Sequence, residues 1–198
     1  QALCESCNIK KGASIYMKQS KAPKIKMREW QEKCLKKALD WYSSDDKPEN
    51  KIFVVNTAPG SGKTALASFL AQALIDKGEI DRVVKVMPRN EIANQSAAQF
   101  TRITGRPMTK VTGSDCDIED FGIDLCCTWS SIQNLKEAFQ KVCQKHKVLL
   151  VCDEHHHAAK EAAWGKSADN AFRDTKRILI LTGTPVRSDG NETVWLHF

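Results

Sequence analysis

The segment Thr57-Ala58-Pro59-Gly60-Ser61-Gly62-Lys63-Thr64 lies between an apolar run, Lys51 to Asn56, and a helical stretch, Lys63 to Lys77, closed by Gly78. No other feature restricts the fold so tightly. Glycines let a backbone curl until several N–H groups point inward, which suits phosphate oxygens. A helix starting at the same spot adds its positive end. Lys63 is then placed for β- and γ-phosphates, and the Thr64 hydroxyl for Mg²⁺, with Pro59, Gly60, Ser61 and Gly62 forming the cradle. A loop of this kind requires a strand before it and a helix after it. The first position of the general pattern is Gly, and here it is Thr57.

The rest of the chain repeats that alternation. A helix is expected from Arg28 to Tyr42, with Trp30, Cys34, Leu35, Ala38 and Trp41 at helical spacing. Ser43 to Asn50 reads as a polar turn. Strands are expected at Lys51–Asn56, Arg82–Met87, Met108–Thr112, Ile123–Cys127, Lys147–Cys152 and Arg177–Leu181. Helices are expected from Pro88 to about Phe100 and from Ser130 to Gln144, and the acidic stretch Ser114–Asp124 reads as a loop. Short apolar strands separated by helices predict an α/β fold in three layers, a mostly parallel central sheet with helices on both faces.

The 198 residues suffice for one well-buried domain and are marginal for two. The longest apolar runs, Val148–Cys152 and Ile178–Leu181, are far too short to span a bilayer, and no charged-then-apolar signal opens the chain. A cytoplasmic or otherwise intracellular protein with no membrane partner is the expectation. The eight cysteines, with Cys126 and Cys127 adjacent and Cys152 inside an apolar run, read as small buried residues rather than a disulfide framework.

The net charge of +6 comes from the leader: residues 1–37 hold ten Lys or Arg against three Glu, whereas the remainder holds 20 basic and 21 acidic residues. Such a leader either attracts phosphate backbones or is a solvated arm.

Two further segments follow apolar strands. Val148-Leu149-Leu150-Val151-Cys152-Asp153-Glu154 ends a strand in two carboxylates. Phosphoryl transfer to water needs one carboxylate for Mg²⁺, the role suited to Asp153, and one to position the water, suited to Glu154. Ligands of such sheets bind outside the carboxyl ends of the strands, which sets this pair beside Lys63. His155, His156 and His157 are adjacent on a turn, a poor arrangement for holding one metal ion. His156 is better read as a polar link to Leu181-Thr182-Gly183-Thr184-Pro185, whose hydroxyls on Thr182 and Thr184 can bond to the acidic pair.

With these three motifs in order, the chain resembles the first RecA-like domain of superfamily 2 helicases and translocases, from about Met27 to Arg187. The closest likeness is to the DEAD/DEAH-related branch that includes restriction-enzyme translocases, on Asp153-Glu154-His155-His156 and Thr184-Pro185-Val186-Arg187. The resemblance implies a three-layer RecA-like fold, ATP and Mg²⁺ as cofactors, and ATP hydrolysis driven by nucleic acid, with DNA expected ahead of RNA. Met27-Arg28-Glu29-Trp30-Gln31 is similar to the family element whose Arg and Gln recognise adenine, so Arg28 and Gln31 would meet the base. Pro88, Arg89 and Gln95, and also Thr128 and Ser131, fall in segments similar to those that touch the nucleic-acid backbone. Arginines that stabilise the transferring phosphate come, in this family, from a second RecA-like domain of the same parent chain. Its motifs do not follow within these residues, so weak ATP binding and little hydrolysis are expected of the fragment.

Residues 23–198 are thus expected to form the motor domain and 1–22 a basic leader. Leu3-Cys4-Glu5-Ser6-Cys7-Asn8 resembles the tail of an HNH nuclease domain, which supplies half of a zinc site, and no zinc is expected at the pair here. Two other function classes stay open. A P-loop switch or kinase unrelated to nucleic acid would share only the phosphate loop; an Asn-Lys-x-Asp guanine element is absent, and a kinase has no need of a Thr-Gly-Thr-Pro loop. A nucleic-acid-binding module without turnover is the other.

Overall fold

A computed structural model describes residues 25–44, 48–112, 118, 124–153, 163–183 and 195. Within them the order is α1 (Glu29–Ser43), β1 (Ile52–Asn56), α2 (Lys63–Asp76), β2 (Arg82–Met87), α3 (Asn90–Thr104), β3 (Met108–Lys110), β4 (Asp124–Thr128), α4 (Ile132–Lys145), β5 (Val148–Asp153), α5 (Ala163–Phe172) and β6 (Arg177–Thr182). Single 3₁₀ turns, Pro48–Lys51 and Trp129–Ser131, precede β1 and α4.

The strands lie side by side in the order β1-β6-β5-β2-β4-β3, and every pairing among them is parallel. The sheet is therefore wholly parallel across the described strands. Parallel neighbours need a crossover, and helices α2 to α5 supply it wherever one lies between two strands; the connection from β3 to β4 falls largely outside the described residues. Alternate residues of each strand face opposite layers. Leu149 and Val151 of β5 pack with Leu66, Leu70 and Leu74 of α2 and with Ala38 and Tyr42 of α1. Val148, Leu150 and Cys152 pack on the other face with Leu135, Phe139 and Val142 of α4 and with Ala168 and Phe172 of α5. Phe139 and Phe172 tie those two helices together, their rings 5.1 Å apart.

Buried polar groups fasten the amino-terminal rim. The Tyr42 hydroxyl donates to Ile178 O at 2.7 Å, and Arg177 stacks on that ring while donating to Tyr42 O at 2.7 Å. Asp124 is fully buried; it accepts from Val83 N–H at 2.8 Å and from Arg106 Nε at 2.7 Å.

Several boundaries differ from expectation for local reasons. Helix α3 runs on to Thr104, because Gly105 (φ 71°) supplies the left-handed stop and returns its N–H to Thr101 O at 2.8 Å. Helix α4 starts at Ile132 because the three preceding residues form a 3₁₀ turn. Strand β3 has three residues rather than five. Helix α5 was not expected at all. The cysteines behave as the sequence suggests: Cys126, Cys127, Cys143 and Cys152 are buried and unbridged. Burial pushes the Cys127 and Cys152 thiols up, and Cys143 to about 11. No described helix is long and apolar enough to cross a membrane. Cys4, Cys7 and the basic residues before position 25 lie outside the described residues.

Candidate nucleotide-binding site

The turn between β1 and α2 is built on two glycines in the left-handed region, Gly60 at φ 74° and Gly62 at φ 99°. The second is also the N-cap of α2, whose first residue is Lys63. A side chain at position 62 would be strained by its φ and would come within 2.8 Å of Gln31 Nε2. Thr57, standing where a glycine is usual, closes the loop by other means: its hydroxyl shares a hydrogen bond with Ser61 Oγ at 2.9 Å. The Lys63 ammonium, buried at 7% exposure, folds back over the loop and donates to Thr57 O at 3.2 Å.

Helix α1 braces this loop from outside. Gln31 accepts from its own helix start, Arg28 N–H, at 2.7 Å through Oε1, and donates through Nε2 to Gly62 O at 2.9 Å. The Arg28 guanidinium donates to Ser61 O at 2.8 Å. Both residues that resemblance assigns to adenine thus hold the carbonyl side of the phosphate loop. Within the loop, Ser61 N–H donates to Ala58 O at 3.3 Å.

The remaining motif residues gather at the same rim. Strand β6 lies between β1 and β5, with Asn56 level with Thr182 and Asp153 level with Leu181. Thr57 N–H donates to Thr182 O at 3.1 Å, joining the phosphate loop to the start of the third motif. A Cβ built on Gly183 would sit 3.6 Å from Lys63 Nζ. Lys63, Asp153 and Thr182 therefore converge on one edge of the sheet. Asp153 is 8% exposed and Thr182 1%. One protein carboxylate beside a threonine is the sparse donor set that Mg²⁺ uses when it keeps several waters and phosphate oxygens. Among the described residues no three His, Cys, Asp or Glu cluster as a metal-binding group. Glu154, His155, His156, His157, Thr184, Pro185 and Arg187 lie outside the described residues.

The segments resembling nucleic-acid contacts continue along the rim. Thr128 ends β4 and Met87 ends β2, and the two are paired. Thr128 is buried, and its hydroxyl shares hydrogen bonds with Ser130 Oγ at 3.0 Å and Ser131 Oγ at 2.9 Å. Arg89 and Gln95 are exposed on the first turns of α3, and Pro88 is half-buried just before it. Arg89 is the N-cap of α3, but no side-chain hydrogen bond caps that helix.

Two participants were not read from sequence. Trp129, 2% exposed, donates its indole N–H to Asp153 O at 3.3 Å. Lys85, 1% exposed in the middle of β2, donates to Ser96 Oγ of α3 at 2.8 Å and lies 5.9 Å from the Phe100 ring. Burial lowers its pKa to about 8, partly opposed by the charges of Asp153 and Cys126. The signal for Lys85 was a charge inside the otherwise apolar run Val83–Met87. Trp129 gave no signal. A cleft of about 470 Å³ also opens at the opposite rim, beside Lys77, Lys147 and Arg177. It contains none of the motif residues.

Residues 24–187 match the family described as the type III restriction enzyme, res subunit. The chain belongs to this family. It is thereby an amino-terminal RecA-like domain of superfamily 2. An uncharacterised protein of Mycobacterium tuberculosis (strain H37Rv) is 29% identical over 174 residues, 87% of this chain and 27% of that protein. The ATP-dependent RNA helicase DHX58 of Mus musculus is 27% identical over 127 residues, 59% of this chain and 19% of that protein. This res-subunit domain thus spans about a quarter or less of the curated relatives it matches. Among solved structures, the Hef helicase domain of Pyrococcus furiosus superposes with a TM-score of 0.61 at 22% identity, over 82% of this chain and 34% of that one. The type ISP restriction-modification enzyme LlaGI, solved with a DNA substrate mimic, gives 0.62 at 20% identity, over 86% and 18%. These likenesses establish the RecA-like fold.

Proposed function

We propose that this res-subunit domain is the ATP-binding half of a nucleic-acid-driven motor, a helicase or duplex translocase. The observation that carries the reading is the convergence of Lys63, Asp153 and Thr182–Gly183 on one rim, with a left-handed glycine cradle between them. In this reading the loop Pro59 to Gly62 wraps the phosphates, its backbone N–H groups coming from Gly60 onward because proline has none, and Lys63 exchanges its bond to Thr57 O for a phosphate oxygen. Thr64 and Asp153 hold Mg²⁺, which neutralises charge on the phosphates. Glu154 orients the attacking water. Arg28 and Gln31 read adenine while bracing the loop. Thr182, Thr184 and His156 pass the nucleotide state to the nucleic-acid side.

Nucleic acid, DNA ahead of RNA, lies along the carboxyl rim against Pro88, Arg89, Gln95, Thr128 and Ser131. Free N–H groups at the starts of α3 and α4 favour phosphate there. An arginine contributed by a partner domain accelerates related reactions by about 10³–10⁵. The domain by itself therefore binds ATP weakly and hydrolyses it little, and a second RecA-like domain completes the catalyst. The test is calorimetry with ATPγS and Mg²⁺, together with ATP turnover in the presence and absence of duplex DNA. Binding that is lost in Lys63→Ala supports the reading, as does turnover that stays low with DNA. Equal nucleotide affinity in wild type and Lys63→Ala would refute it.

A further inference from the structure

A lysine in the centre of a parallel sheet is costly. Its ammonium leaves water and must find acceptors, and replacing such a group by an apolar one of similar size usually costs nothing. Lys85 sits on β2 between β4 and β5, opposite Cys126 and Val151. Among the described residues its one hydrogen bond is to Ser96. Val83 and Val151, on the same side of the sheet, belong to the apolar cluster under α2. An aliphatic residue would pack there at lower cost, so the charge calls for a reason.

The sheet register supplies one. Lys85 is paired with Val151, so Asp153 lies two residues further along β5 on the same face, the diagonal position that a long side chain reaches. The charge of Asp153 favours the charged form of Lys85 against its burial. The other end of the lysine is held by Ser96, which belongs to α3, the helix that starts at the rim with Arg89 as its cap.

We propose that Lys85 is a positioning residue for the acidic end of β5: a built-in counter-charge to Asp153, anchored on α3 through Ser96, that sets how strongly Asp153 holds a divalent cation. The proposal rests on Asp153 being the cation ligand. Two consequences have opposite signs. Removing the ammonium removes the competitor for the carboxylate, so the cation binds more tightly. Removing the Ser96 hydroxyl takes away the ammonium's one hydrogen-bond acceptor among the described residues and turns it more fully toward Asp153, so the cation binds more weakly.

The experiment titrates free Mg²⁺ against the 198-residue chain in the presence of the fluorescent nucleotide mant-ADP, with a protein-free titration subtracted. The readout is the Mg²⁺ concentration at half of the metal-dependent signal. Lys85→Met is expected to lower it about tenfold, and Ser96→Ala to raise it about threefold. Nucleotide affinity without metal should stay within about twofold of wild type in both. A purely structural role would move both variants in the same direction. That result, or no change in either, overturns the proposal. Two controls separate it from the reading beneath. Asp153→Asn should abolish the metal-dependent part of the signal, and Lys63→Ala should abolish binding. If Asp153→Asn titrates like wild type, the assignment of Asp153 fails. If both controls behave and Lys85→Met does not, only the role of Lys85 falls.

Discussion

Lys85→Met also makes a prediction about folding that involves no ligand. The ammonium falls from 10.5 to about 8 because burial disfavours its charge more than Asp153 and Cys126 restore it. At about 1.4 kcal/mol per pH unit, that shift is a native-state cost of about 3 kcal/mol at pH 7, where the group is charged both folded and unfolded. Methionine removes the cost and keeps the length of the side chain. It also takes from the Ser96 hydroxyl its bond to the ammonium, which returns about 1–2 kcal/mol. The variant should be more stable by about 1–2 kcal/mol, or a few degrees in Tm for a domain of this size.

The sign of the pH dependence is fixed too. The folded pKa is depressed, so the cost is complete below about pH 8 and fades as pH rises toward the unfolded value of 10.5. The buried thiols of Cys127 and Cys152 and the Tyr42 phenol titrate in both proteins and cancel in the difference. Urea unfolding of wild type and variant at pH 7 and pH 10 measures it. The gap should shrink between the two. A variant less stable than wild type at pH 7, or a gap that widens with pH, would refute the burial argument.

Gly62→Ala must hold a left-handed φ of 99° and displace Gln31, whose Nε2 stands 2.8 Å from the new Cβ. A cost of about 1–2 kcal/mol in thermal denaturation is expected, together with loss of mant-ADP binding. Arg106→Ala strands the fully buried Asp124 with its remaining bond to Val83 N–H. Breaking such a pair costs about 3–5 kcal/mol, read as a lower urea midpoint, whereas Lys33→Ala removes an exposed pair with Glu29 and should change the midpoint little. Lys63→Ala should weaken ATPγS binding at least about tenfold with an unchanged circular dichroism spectrum.

Most of the sheet was legible because a strand buried on both faces must be an apolar run. Arg82–Met87 has the bounds its sequence suggests, and Val148–Asp153 and Arg177–Thr182 are each within a residue. The phosphate loop was legible for a different reason, since its glycines are required by backbone geometry alone. Helix α5 was not legible. Ala163-Trp164-Gly165-Lys166-Ser167 has a glycine inside it and few apolar residues, and the helix is secured by Ala168, Ala171 and Phe172 packing against α4. The extra turn of α3 likewise rests on the stop at Gly105.

In the site, residue types were readable and their mutual bonds were not. Arg28 and Gln31 stand out by resemblance, yet their grip on Ser61 O and Gly62 O depends on how α1 docks across the loop. Lys85 and Ser96 are 11 positions apart and become partners only when α3 lies down on β2.

The indole of Trp129 donates to the last backbone carbonyl of β5, one residue after the Thr128 hydroxyl cluster. Any displacement of that strand end must drag the ring or break its bond, and either event changes the environment of a natural fluorophore. With the other four tryptophans, Trp30, Trp41, Trp164 and Trp195, replaced by phenylalanine, the emission of this one ring would follow the strand end in real time, without any dye attached to the protein.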